Sequence, residues 1–433
     1  MLDTVSTNRA FPFFPLINTG LLAAFLALLL VVHQAYFVIP FLAAAVALLG
    51  LLFNGKGSRC RAWDWEDACC LGTLGLFTLL WCLDVARTGK WPVGEGNQGF
   101  YLPLWPILAA VVWLGWRRWT PSLSALWYGA ALGCILAGGI AAYECWILGR
   151  GRASNGINAI PFGNLSLLLA TISIVAFLVR RGHIRNTREW LKRGLFLLAA
   201  VSGLMASILS GTRGSWIVFP VLLWLLYLAF WESLPARRLV PIGAAVAVVI
   251  IGASLLPTTG VQERVAEAVD NLEEYAEGDT YSSLGIRLEM WRAGAHLFSE
   301  KPLLGWGEGR LEERRDQWVA EGLYNRGISR YDQLHNDMID TAARRGLVGL
   351  VSLLLLYGVP IVLFAKHLRR RKDVQGRALA VSGLIVVVAF IGFGLTQSLL
   401  RDVRGLSGFL GMLTACWCLL KATPEGARKT AQS

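Results

Sequence analysis

The sequence predicts an all-α polytopic membrane protein with about twelve transmembrane helices and one long helical loop. Three observations carry this. Of the 433 residues, 55% are hydrophobic and the mean hydropathy is +0.52, above the roughly 45–50% apolar share of soluble domains. Apolar runs near the length of a bilayer crossing recur along the chain, since a hydrocarbon core about 30 Å thick takes about 20 residues at about 1.5 Å each. Between Pro257 and Arg345, by contrast, the chain is charged and punctuated by Gly and Pro for 89 residues.

In chain order the qualifying runs lie near 11–32, 35–53, 68–86, 100–116, 121–148, 160–180, 194–210, 215–232, 239–256, 346–365, 378–398 and 406–421. The first, from about Leu16 to Val32, lacks a small-residue cleavage site and leads directly into the second, so it reads as a retained signal anchor. This divides the chain into 1–256 with nine spans, the polar loop 257–345, and 346–433 with three spans and a tail.

The formal charge of +12 is orientation signal. With the N-terminus inside, the inner loops and tails hold 23 Lys and Arg and the short outer loops hold seven, namely Arg87, Lys90, Arg150, Arg152, Arg213, Arg401 and Arg404. That bias places both termini in the cytoplasm and 257–345 outside. It leaves no basic patch for nucleic acid, although the run Arg369 to Lys372 suits anionic lipid headgroups. Trp63, Trp65, Trp91, Trp116, Trp119, Trp190 and Trp231 sit near segment ends, as an interfacial belt requires. The eight cysteines avoid the polar loop, and the pairs Cys69-Cys70 and Cys416-Cys418 lie in apolar runs, so they read as small buried thiols, neither a disulfide framework nor a metal site.

Within the loop, Val261, Val265, Ala268, Leu272 and Tyr275 recur at helical spacing among acidic residues, predicting an amphipathic helix. Ser282 and Ser283 precede a second helix, on which Leu284, Leu288, Trp291, Ala295 and Phe298 form the apolar stripe, with Arg287 and Arg292 on either side. A charged helix is expected from Leu311 to Glu321. A last one, from about Leu334, runs on into the span beginning at Gly346 and places His335 on a rigid helix just above the bilayer.

Three sets of residues have the chemistry for a reaction. Arg213 lies in Ser210-Gly211-Thr212-Arg213-Gly214-Ser215, an outward turn whose flanking glycines leave backbone amides open to an anion. Arg287 and Arg292 offer guanidinium forks for phosphate oxygens. His335 has an unperturbed pKa of about 6.5 and accepts a proton at neutral pH. The bland alternatives are a lipid-facing Arg that snorkels, ion pairing with Glu289 or the acidic helix, and a hydrogen-bonded helix-terminal His. The run Gly305 to Arg310 follows a helix and lies outside, where ATP is absent, so it reads as a turn presenting backbone amides, not as a nucleotide loop.

Taken in this order, these residues resemble the superfamily of O-antigen ligases and O-antigen polymerases. The resemblance covers nearly the whole chain: the spans, the single late loop, the turn at Arg213, the Arg287 helix followed by Lys301-Pro302-Leu303-Leu304-Gly305-Trp306-Gly307, and His335-Asn336. It implies a GT-C-like glycosyltransferase of the bacterial inner membrane, working at the periplasmic face with no nucleotide sugar, cofactor or metal. The implied donor is an O-antigen glycan on undecaprenyl pyrophosphate and the acceptor a sugar hydroxyl of lipid A core. By match of motif His335 is the base, Arg213 and Arg287 hold the pyrophosphate, and the anomeric centre inverts in one displacement. Arg292, Arg150, Arg152, Asn336 and Asp402 are further expected substrate contacts. A ligase is preferred. An O-antigen polymerase or a protein O-oligosaccharyltransferase of the same superfamily differs by its acceptor. A secondary transporter ranks lower, because the two halves do not match and Asp84 and Glu144 sit near span ends, away from mid-membrane.

Overall fold

A computed structural model describes residues 13–53, 63–94, 99–180, 187–231 and 280–424, with residues 266 and 270. The expected span at 239–256, the acidic helix at 261–275 and both termini lie outside the described residues or nearly so. Among the described residues the chain is helical without strands, and ten helices are long and apolar enough to cross a membrane. They are α2 (Ala35–Phe53), α3 (Trp65–Thr88), α4 (Trp105–Arg118, extended by a 3-10 turn from Gly99), α5 (Leu123–Ala142), α6 (Ala159–Val179), α7 (Thr187–Leu209), α8 (Arg213–Phe230), α11 (Asp337–Arg370), α12 (Val374–Gly394) and α13 (Val403–Ala422). A shorter apolar helix, α1 (Phe13–Leu28), precedes them. Two further helices, α9 (Ser283–Glu300) and α10 (Arg310–Ala320), belong to the polar loop.

Apolar patterning explains which helices are central. α6 and α12 are largely apolar on all sides and most of their residues are buried, as a helix surrounded by other helices requires. α6 packs on α7, α12 on α8, α11 and α13, and α11 also on α3. Asp67, near the start of α3, accepts from Arg117 Nε at 2.9 Å, Trp417 Nε1 at 2.8 Å and Trp113 Nε1 at 3.4 Å, which ties α3 to α4 and α13. Arg117 Nη2 donates to the other oxygen at 2.8 Å, so this buried carboxylate has donors on both oxygens. Two of the expected belt tryptophans, Trp116 and Trp119, are instead buried, and Trp119 stacks on Phe14 at 4.8 Å.

At the other end of α3 the polar loop has its own small core, formed by Met290, Ala293, Leu297, Leu311, Trp318, Ile328, Leu334 and Ala343. The buried face of α9 is therefore Met290, Ala293 and Leu297, not the expected Leu284-Ala295-Phe298 stripe; Ala295 is exposed. The reason is Gly294. A Cβ there would lie 2.4 Å from Ile339 Cγ2, so the side of α9 without a side chain is the one that meets α11 closely.

The expected continuity of the last loop helix with its span is also corrected. Gly346 breaks α11 with φ of +62°, and a Cβ on it would lie 2.3 Å from the Leu303 carbonyl carbon. Across this break the two chain segments zip together: Trp306 N–H donates to Ala343 O at 3.0 Å, Gly307 N–H to Arg344 O at 2.8 Å and Leu347 N–H to Pro302 O at 2.7 Å. The amides of Trp306 and Gly307 are thus taken up by α11, that of Gly305 by Lys301 O and that of Glu308 by Asp84, contrary to the expectation that they face a substrate.

Candidate active site

His335 does not lie on a helix. It precedes α11, with a left-handed backbone (φ +52°) that is uncommon for a residue with a side chain. Asn336 makes this possible as the N-cap. Its Oδ1 accepts from Met338 N–H at 3.0 Å and Ile339 N–H at 3.1 Å, its Nδ2 donates to Leu395 O at 3.1 Å, and its N–H donates to Ser398 Oγ at 3.1 Å. Asp337 Oδ1 accepts from Leu400 N–H at 3.2 Å. The connection from α12 to α13, residues 395–400, is therefore clasped to residues 336–337, and Gln397 is brought onto His335.

The imidazole Nδ1 of His335 meets Gln397 Oε1. An amide oxygen only accepts, so this pairing puts the proton on Nδ1 and leaves Nε2 as the acceptor. The ring is 8% exposed and meets Tyr331 edge to face at 4.9 Å. Burial pushes its pKa below the ordinary histidine range; the Gln397 bond opposes that shift, and the Arg287 charge adds to it.

Arg287 comes from the second turn of α9. Burial presses its guanidinium below the ordinary range, and the charge of Arg213 presses it further, with Tyr331 acting the other way. Arg213 opens α8 after Thr212, whose hydroxyl donates to Ala159 O at 3.0 Å. Gly214 admits Thr396 so closely that a Cβ would lie 2.2 Å from its hydroxyl. Three separate parts of the chain are thus linked electrostatically, Arg213 acting on Arg287 and Arg287 on His335. Such a pair of crowded cations is relieved by an anion with several oxygens.

Residues 197–354 match the family model described as O-antigen ligase. The chain is also 27% identical over 282 residues to an uncharacterized protein of Haemophilus influenzae, covering 64% of this chain and 69% of that one. It is 27% identical over 205 residues to an O-antigen ligase of Escherichia coli, covering 47% of this chain and 46% of that one. The chain resembles the O-antigen ligase superfamily. Its aligned part spans under half the length of that ligase. The segment matching the O-antigen ligase model contains Arg213, Arg287 and His335; Gln397 lies beyond it.

The remaining expected contacts are engaged in ion pairs, carbonyl contacts and helix caps. Arg292 is turned to solvent with a side chain 71% exposed, 3.7 Å from Glu289 and over the Tyr324 ring at 6.0 Å. Arg150 pairs with Glu144, whose other oxygen accepts from Ser154 and Asn155 N–H at 2.7 and 2.9 Å. Arg152 Nε donates to Ser210 O at 2.8 Å, beside the turn that carries Arg213. Asp402 is the N-cap of α13 and accepts from Gly405 N–H at 2.7 Å. The side-chain polar groups of Asn336 are occupied by the cap and the Leu395 carbonyl, so it positions His335.

Sequence reasoning missed Gln397, Ser398 and Glu308. The polar triplet Thr396-Gln397-Ser398 between two apolar runs was the available signal. Glu308, read as part of a turn, is the centre of a buried ionic node. It meets Arg344 at 2.9 Å and Arg401 at 2.7 Å, and accepts from Trp81 Nε1 at 3.2 Å. Arg344 also meets Asp340 at 3.0 Å. The two guanidinium groups hold the Glu308 carboxyl at a pKa of about 2 against the opposing effect of burial, which alone would raise it. The node fastens the polar loop to α3, α11 and the α12–α13 connection, and so fixes the floor on which Gln397 and His335 meet.

Proposed function

We propose that the protein is an O-antigen ligase, a metal-independent glycosyltransferase that moves O-antigen polysaccharide from undecaprenyl pyrophosphate to a sugar hydroxyl of lipid A core at the periplasmic face of the inner membrane. The observation that carries this reading is the His335 imidazole, buried with Nδ1 on Gln397 and Nε2 left to accept, close in charge to Arg287 and Arg213. The similarity to an O-antigen ligase supports it.

In this reading Nε2 of His335 takes the proton of the acceptor hydroxyl as its oxygen bonds to the anomeric carbon of the donor. The bond from that carbon to the pyrophosphate oxygen breaks on the opposite side, the centre inverts, and undecaprenyl pyrophosphate leaves. Arg213 and Arg287 receive the charge that develops on the leaving oxygens, in a site where burial keeps the attraction strong. No energy source beyond the donor is needed, because the pyrophosphate is the leaving group.

The test is glycan transfer by purified protein, with carrier-linked glycan as donor and lipid A core as acceptor. His335→Ala abolishes transfer; a variant as fast as the wild type removes the base assignment. Consumption of a second carrier-linked glycan in place of core would establish a polymerase.

A further inference from the structure

A recess of about 190 Å³, whose lining does not include His335, opens between α3 and α11, where the end of α3 meets the break at Gly346. Its walls are Leu80, Leu83, Leu304 and Val348, and its polar lining is Asp84, Arg87 and Arg345. Arg345 is the anomaly. Only 6% of the residue is exposed and its Nη1 has no hydrogen-bond partner; it lies over the faces of Trp81 at 4.3 Å and Phe77 at 5.7 Å, and feels the charges of Glu308 and Asp84 without a hydrogen bond to either. The neighbouring carboxylates are engaged elsewhere. Asp84 accepts from Arg87 at 2.7 Å and from Glu308 N–H at 3.3 Å, and Glu308 is bound by Arg344 and Arg401. An aromatic face attracts a cation, but it accepts none of the directed N–H bonds that a buried guanidinium needs.

The direction from which a ligand arrives is set by the walls. Leu83, Leu304 and Val348 are 54%, 57% and 39% exposed, and they flank the mouth of the recess on two membrane-crossing helices and the turn between Lys301 and Gly305. That turn also exposes Leu303 (66%) and is fastened to the first residues of the span by the bond from Leu347 N–H to Pro302 O. Two exposed leucines held level with a helix entering the bilayer belong in acyl chains. A molecule that meets both walls and floor is apolar along its length and anionic at its head.

We infer that this recess binds the phosphate of an anionic phospholipid, with its head on Arg345 and Arg87 and its acyl chains along Leu83, Leu304 and Val348. A phosphate supplies the oxygens that a guanidinium fork takes in pairs. Arg87 flanks the mouth, where Nη1 donates to Gly305 O at 3.1 Å and Nη2 to Leu304 O at 2.9 Å, which fixes its positive charge beside the apolar wall.

Native mass spectrometry of the full-length protein in detergent tests this by titration with dioleoyl phosphatidylglycerol, dioleoylglycerol or inorganic phosphate. Saturable retention of phosphatidylglycerol is expected, with retention at least about tenfold weaker in Arg345→Gln, a change of about 1.4 kcal/mol. Val348→Trp leaves every charge in place and narrows the mouth. It is expected to weaken retention similarly, and it decides the matter if Arg345→Gln does not fold. Equal retention by Val348→Trp, or equal binding of dioleoylglycerol, overturns the inference. Inorganic phosphate displacing the lipid at matching affinity would make this a free-anion site and also overturns it. No glycan donor enters the assay, so its outcome is independent of the transferase reading.

Discussion

His335 and Gln397, 62 residues apart in sequence, meet Nδ1 to Oε1. The contact sets which imidazole nitrogen carries the proton, and the clasp of Asn336 on Leu395 and Ser398 holds the two residues in register. In the proposed reaction Gln397 is thus a positioning residue. Gln397→Leu keeps the volume but frees the tautomer, so kcat for glycan transfer should fall by part of the roughly 10²–10⁴-fold that a general base supplies. KM should change little. An equal fall in Gln397→Leu and Gln397→Glu would point to packing alone, because the carboxylate still accepts from Nδ1.

The acid limb of the rate profile follows from the same site. Burial and Arg287 lower the pKa of His335, so the neutral, basic form persists below about pH 6.5 and is lost only as pH falls through the depressed value. Arg287→Gln removes a nearby positive charge. Its acid limb should move upward, toward that ordinary value, together with a large loss of rate. A pH–rate profile of the residual activity measures the shift; no movement would mean that Arg287 does not act on His335.

Arg292 serves as the internal control for Arg287. It stands in solvent beside Glu289 and Tyr324, so Arg292→Ala should transfer glycan within about twofold of the wild-type rate, as an exposed pair contributes little. Arg287→Ala should lose most activity. Comparable losses in the two variants would remove the distinction drawn from their burial.

Glu308 fastens the loop to the bundle. Glu308→Ala leaves Arg344 and Arg401 buried beside one another with less countercharge, and should destabilise the fold by about 3–5 kcal/mol in thermal unfolding in detergent. Its folded pKa of about 2 lies below the ordinary 4.5. The stability it contributes is therefore fully present above about pH 4.5 and fades as pH falls toward the folded value. The variant should lose that part of the acid sensitivity of the wild type.

Two glycines with positive φ should respond differently to a methyl group. Gly322 has φ of +80° with nothing near its Cβ, so Gly322→Ala should cost only the left-handed conformation, about 1–2 kcal/mol. Gly346→Ala adds a clash with Leu303 backbone at 2.3 Å that no side-chain rotation relieves. A larger fall in thermal midpoint is expected for Gly346→Ala; equal falls would show that the zipped turn yields readily.

The sequence by itself determined the all-helical membrane architecture, because hydrocarbon imposes its requirement locally: a span of apolar residues about 20 long can satisfy its backbone only as a helix. It also exposed Arg213, Arg287 and His335, whose residue types announce their chemistry in turns and polar segments. Only the tertiary structure decided that His335 sits on a left-handed residue before the helix, and that Gln397 holds it. It also showed that Arg292 turns away, that Arg345 is buried without a directed partner, and that Glu308 is a buried anchor. Each of these depends on contacts between residues far apart in the chain, where helical periodicity says nothing. Gly294 shows the reason most simply: the face of α9 that is buried is the one that permits the closest approach to α11, not the one richest in large apolar side chains.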